Sequence, residues 1–140
     1  MVKVIALDLE GTLISNAMSQ IPRSGLFEFI EACKVLCERT VILPTVKEAL
    51  FRKIAQQLVS EKLVPEWVED IEYIHWEGKA KDLNFITDII HINEVLLVDD
   101  FYEYVHLGQE SQWIEIKQFI HPYEYSDKEL DIILKKLKEK

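Results

Sequence analysis

Val2-Lys3-Val4-Ile5-Ala6-Leu7-Asp8-Leu9-Glu10-Gly11-Thr12-Leu13 is an apolar run that stops abruptly on carboxylates. Consecutive apolar residues, rather than an alternation of apolar and polar ones, mark a strand buried on both faces. Asp8, Glu10 and Gly11 then turn the chain into a tight loop. A carboxylate directly after a buried strand is costly to desolvate and is seldom found there without partners. The pattern returns later in the chain: Val95-Leu96-Leu97-Val98 is the clearest buried strand, and it is closed by Asp99-Asp100.

Between and beyond these two strands the periodicity changes. After Pro22-Arg23-Ser24-Gly25, the residues Leu26, Phe29, Ile30, Cys33 and Cys37 recur at helical spacing. Val41-Ile42-Leu43 is a β-branched run stopped by Pro44, and Val46, Leu50, Ile54 and Leu58 mark a second amphipathic helix. Ile71, Tyr73 and Ile74 suggest a short strand, Asp82 is expected to cap a helix carrying Leu83, Ile86 and Ile90, and Trp113-Ile114-Glu115-Ile116 reads as a further strand. Ser126 with Glu129 has the spacing of a capping box before Leu130, Ile133, Leu134 and Leu137. Strands alternating with helices predict an α/β fold: one Rossmann-type domain over residues 1–140, a central parallel sheet with helices on both faces. Ligands of such sheets bind beyond the carboxyl ends of the strands. Both acidic clusters fall at such ends.

Composition removes several classes of function. No apolar run approaches the ~20 residues of a membrane helix, so no membrane association is expected. The first strand has no small-residue cleavage site behind it, and Cys33 and Cys37 are the only cysteines, so the expected location is cytoplasmic. The two cysteines read as small core residues. A net charge of −9 argues against a nucleic-acid partner, which needs clustered Lys and Arg. Lys135, Lys136, Lys138 and Lys140 suit the end of a last helix. His75, His91, His106 and His121 show no two-ligand spacing for zinc.

The chemistry therefore rests on carboxylates. Asp8, Glu10, Asp99 and Asp100 would repel one another at one edge of the sheet unless a cation sat among them, and hard oxygen ligands suit Mg²⁺. Two unrelated acidic surface loops are the alternative on the carboxylates alone.

Asp8-Leu9-Glu10-Gly11-Thr12-Leu13 resembles the first motif of the haloacid dehalogenase superfamily, Asp-x-Asp-Gly-Thr-Leu after a strand. Thr45 is similar to its second motif, a Thr or Ser closing the next strand; Lys81 to its third; Asp99-Asp100 to its fourth. Within the superfamily, Pro22-Arg23-Ser24-Gly25, Lys81-Asp82-Leu83 and Ser126-Asp127-Lys128-Glu129-Leu130 look like segments of the small C-terminal-domain phosphatases, the NLI-interacting-factor-like branch. The last of these carries no chemistry, so its presence speaks for shared ancestry.

The resemblance implies a Mg²⁺-dependent phosphomonoester hydrolase. Asp8 would be the nucleophile forming an aspartyl-phosphate, and Glu10 the general acid and then the base. Thr45 would bind a phosphoryl oxygen, and Lys81 would balance the charge. Lys79, two residues earlier, is a second candidate for that lysine. The metal set would be Asp8, Glu10 by its backbone carbonyl, Asp99 and Asp100. Gly11 would let the loop amides approach the phosphate. Neither interval between the first three motifs has room for a cap domain, which implies a large phosphorylated substrate such as a protein. Trp67, Tyr73 and Trp76 are candidates for contacting it, and Tyr102 and Tyr104 for lining the mouth. Glu10 stands where most relatives have Asp, which keeps a catalytically weak binding or scaffold protein as the alternative, with a phosphotransferase on the same scaffold behind it.

Overall fold

A computed structural model describes residues 2–140. Five parallel strands form one sheet: β1 (Val4–Leu7), β2 (Arg39–Ile42), β3 (Glu72–Tyr73), β4 (Val95–Asp99) and β5 (Trp113–Glu115), in the order β3-β2-β1-β4-β5. β1 lies at the centre, with Val4–Leu7 opposite Arg39–Ile42 on one side and Val95–Val98 on the other. From β1 the chain builds outward to β2 and β3, then returns to β4 and builds outward the other way. The strand order therefore reverses between β1 and β4, and a crevice opens beyond their carboxyl ends.

The fully apolar strands do cover two buried faces. Ile5, Leu7, Ile42, Leu96, Val98 and Ile114 point into one core, and Val4, Ala6, Val41, Val95 and Leu97 into another. The expectation of helices on both faces is corrected: the α-helices lie on one face only, because the segment expected to cover the other forms just short 3₁₀ turns. The three α-helices, α1 (Leu26–Leu36), α2 (Glu48–Ser60) and α3 (Glu129–Lys138), all feed the first core. The second is closed by loops and one-turn 3₁₀ helices carrying Leu83, Ile86 and Ile92. No helix among the described residues is long and apolar enough to cross a membrane.

Local expectations diverge from the structure in four places, each for a physical reason. In α2 the buried stripe is Phe51, Ile54, Ala55 and Leu58, so Leu50 faces outward and Val46 precedes the helix. Asp82 does cap, accepting from Asn84 N–H, but the helix is only Leu83–Phe85, because the backbone is already extended at Ile86, and Asp88 further on is left-handed; Ile90 is 88% exposed. Before α3, Ser126 bonds Glu124 while Asp127 accepts the Glu129 N–H, so the capping box does not form. Cys33 is buried, its thiol pushed up to about 12 by burial and then by Cys37, whereas Cys37 is only half-buried at the end of α1.

Between β1 and β2 lie a loop and α1, and between β2 and β3 lie α2 and a 3₁₀ turn, so neither interval carries a cap domain. The stability of this arrangement rests on the first core. Phe51→Ala, at a site 2% exposed, is expected to lower the free energy of unfolding by about 3–5 kcal/mol. Val35→Ala, at a site 86% exposed, should change it by less than about 0.5 kcal/mol. Urea unfolding of the two variants checks the contrast.

Candidate active site

β1 ends at Leu7 and β4 at Asp99, in register, so the residues that follow them emerge side by side at the switch point. Asp8 is 4% exposed, and Lys81 and Asp99 are fully buried. Lys81 arrives from the loop before Leu83, pinned by its N–H to the Tyr104 carbonyl at 2.7 Å. Its Nζ donates to Asp8 Oδ1 at 2.9 Å and to Asp99 Oδ2 at 2.6 Å. The second oxygen of Asp8 accepts from the Thr12 hydroxyl at 2.8 Å, and the second oxygen of Asp99 from the Phe101 N–H at 3.0 Å. Both carboxylates are thus held at both oxygens. Asp100 completes the group, 3.2 Å from the Thr12 hydroxyl.

Gly11 sits at φ +76°, and an added Cβ would lie 2.5 Å from Asp100 Oδ2. Glycine is needed here for the turn and for the approach of Asp100. The loop amides are used differently from expectation. Gly11 N–H donates to Ile14 and Thr12 N–H to Leu9, so both are occupied inside the loop.

Glu10 and Thr45 stand together at the rim. Glu10 Oε2 accepts from Ala17 N–H at 2.8 Å, and its Oε1 lies 3.5 Å from the Thr45 hydroxyl. The Glu10 carboxylate is therefore outside the buried cluster. Lys79 is exposed, so Lys81 is the lysine that meets the carboxylates. Tyr104 and Trp76 meet edge to face beside the Lys81 ammonium, Tyr104 at 5.0 Å, and the Trp76 indole donates to the Pro44 carbonyl. Tyr102 packs on Trp113, and Trp67 on Lys34 in the last turn of α1. Tyr73 donates to the Val46 carbonyl. A groove of about 460 Å³, lined by Thr45, Tyr73, His75 and Trp76 among others, adjoins the rim.

Three carboxylates against one ammonium leave two negative charges in a buried space. Burial raises Asp99 to about 6, with the Asp8 charge adding and Lys81 opposing. Asp100 is pushed up to about 7 by burial, by its hydrogen bond with Asp8 and by the charges of Asp8 and Asp99. Burial works against the Lys81 charge, but Asp8 and Asp99 outweigh it and hold its pKa above the ordinary lysine value. Oxygens of Asp8, Asp99 and Asp100 lie within 4.8 Å of one another, and they form the only such group among the described residues. A compact set of hard oxygens with two uncompensated negative charges fits a divalent cation.

A parallel sheet with this carboxylate–lysine cluster at its switch point defines the haloacid dehalogenase class of α/β domain. The family model of the NLI interacting factor-like phosphatases matches residues 3–140, and the chain belongs to that family. No match emerges among curated proteins.

The sequence points directly to Asp8, Glu10, Thr45, Lys81, Asp99 and Asp100. It does not single out Thr12, although Thr12 lies inside the quoted first motif. Nor does it reveal that Arg23 is buried behind the loop. The sign of that in the sequence is its place in the segment Pro22-Arg23-Ser24-Gly25, just before a helix.

The raised acids have a consequence for folding. Between about pH 4 and 7, Asp99 and Asp100 hold protons in the folded chain that they have lost in the unfolded one. Their contribution to stability therefore falls as pH rises through this window. In metal-free buffer, calorimetry from acid to neutral pH should show a shallower fall for Asp100→Asn than for the unmutated chain. Equal slopes would contradict the assigned cause.

Proposed function

We propose that the chain is a Mg²⁺-dependent phosphomonoester hydrolase that works through an aspartyl-phosphate on Asp8. The observation that carries this reading is the Asp8 carboxylate, buried at the switch point and oriented through one oxygen by Lys81 and through the other by Thr12. A nucleophile fixed in this way loses little further freedom on reaching the transition state.

An Asp8 oxygen attacks phosphorus, and the bond from phosphorus to the leaving oxygen breaks. Glu10, at the rim, gives that oxygen its proton. Glu10 then takes a proton from water as the water attacks the phosphorus of the adduct. The bond from phosphorus to Asp8 breaks, which releases inorganic phosphate and restores the carboxylate. Lys81 stays charged and faces the developing negative charge in both steps. Asp8, Asp99 and Asp100, with the Glu10 backbone carbonyl, would hold Mg²⁺, which would supply positive charge to offset the negative charge of the phosphoryl group. Thr45, once released from Glu10, has a free hydroxyl to offer a phosphoryl oxygen.

The absence of a cap between the motifs and the open groove beside Thr45 favour a large phosphorylated substrate, a phosphoprotein of low acidity given the net charge of −9. The scaffold alternative draws on Glu10, whose carboxylate is engaged by Ala17 and Thr45.

Mass spectrometry after brief exposure to an activated aryl phosphate separates the two readings. Glu10→Ala should accumulate a phosphoryl adduct, because its hydrolysis slows by roughly 10²- to 10⁴-fold. Asp8→Asn should form none. An unmutated chain that neither turns over nor traps a phosphate mimic on Asp8 would leave the scaffold. Chelation should abolish turnover and Mg²⁺ restore it, with Ca²⁺ a poor substitute because its looser coordination misplaces the nucleophile. Undiminished turnover in excess chelator would overturn the metal set.

A further inference from the structure

Arg23 is 2% exposed and lies outside the carboxylate cluster, yet every one of its donors is engaged. Nε and Nη2 grip both oxygens of Asp127 at 3.0 and 3.1 Å. Nη2 also donates to the Lys117 carbonyl at 2.6 Å. Nη1 donates to the carbonyls of Gly11 at 3.4 Å and Thr12 at 3.2 Å. These five bonds match the five N–H groups of a guanidinium, and Phe119 stacks over its carbon at 5.1 Å. The Gly11 carbonyl is held a second time by Phe119 N–H at 2.8 Å.

The two carbonyls that Arg23 grips belong to two residues set directly against the cluster. Thr12 supplies the hydroxyl that bonds Asp8, and Gly11 is the residue against which Asp100 packs. Asp127, in turn, lies two residues before α3 and holds its start by accepting the Glu129 N–H. Helix, guanidinium, loop peptide and hydroxyl thus form one continuous chain of contacts ending on Asp8. A pair needed only to close the core would be replaceable by apolar side chains at little loss. A rigid fork that meets two carbonyls and a carboxylate at once instead sets an orientation. This also supplies a physical role for the segment Ser126-Asp127-Lys128-Glu129-Leu130, which carries no catalytic group.

We infer that Arg23, braced by Asp127, is a positioning residue for the nucleophile: it locks the Gly11 and Thr12 carbonyls and so aims the Thr12 hydroxyl that orients Asp8. The inference rests on the reading of Asp8 as the nucleophile.

The test is a double-mutant cycle in kcat and KM on an aryl phosphate, with the folded fraction measured by circular dichroism. Arg23→Lys keeps the charge but loses the fork, and kcat should fall roughly 10- to 100-fold while KM moves less than about twofold. Thr12→Val removes the end of the chain of contacts. If Arg23 acts through Thr12, the double variant should be hardly slower than the slower single variant. Asp127→Asn, at the more exposed end of the pair, provides a second cycle should Arg23→Lys fail to fold, with the same sub-multiplicative pattern expected. An unchanged kcat per folded molecule, or losses that multiply, overturns the positioning role while leaving Asp8 as the nucleophile. An unmutated chain without turnover overturns both.

Discussion

One ammonium group, Lys81 Nζ, stands buried between the carboxylates of Asp8 and Asp99, with Asp100 close by, and the rest of the site is arranged around that unequal ratio. Unit charges about 4 Å apart interact by about 4 kcal/mol at an effective dielectric near 20. Repulsion among three clustered carboxylates is therefore of the same order as the attractions a single lysine supplies. The surroundings reduce the imbalance piecemeal: a hydroxyl on Asp8, a backbone N–H on Asp99, and raised proton affinity on Asp99 and Asp100. What remains is a demand for positive charge at one place. A divalent cation would meet that demand by its charge, and the hard oxygens of Asp8, Asp99 and Asp100 suit one.

The sheet makes this concentration of charge tolerable. Because β1 and β4 are adjacent and parallel, their carboxyl ends open into the same crevice while both faces of each strand stay covered by apolar side chains. Asp8 and Asp99 are thus desolvated, and Asp100 alone of the three keeps some contact with solvent. Most of the helical mass lies on one face, and the other is closed by the segment that also delivers Lys81, Trp76 and Leu83. The lysine is consequently built into the wall of the second core, its backbone tied to Tyr104, rather than reaching in from the surface.

Membership of the NLI interacting factor-like phosphatases accounts for the order of the motifs. The hydrogen bonding shows how this chain realises them. The Glu at position 10 lengthens the rim acid by one methylene, and the structure accommodates it by anchoring its carboxylate on Ala17 N–H beside Thr45. The Glu10 carboxylate is thereby held at the rim and kept apart from the buried set of Asp8, Lys81 and Asp99.

By itself the sequence determined the strands that lead into Asp8 and Asp99-Asp100, the parallel α/β class and most of the side chains of the candidate site. It could do so because an apolar run broken by carboxylates is a local signal, set by burial and desolvation within a few residues. Only the tertiary structure decided which lysine is buried, which loop amides are occupied, and that the Thr12 hydroxyl holds the Asp8 carboxylate. It also decided that Ser126 does not cap α3 and that Asp127 is bound to Arg23 across the fold. These outcomes depend on contacts between segments far apart in the chain, and Arg23 and Asp127 have no reason to be paired until α3 packs beside α1 and brings them together.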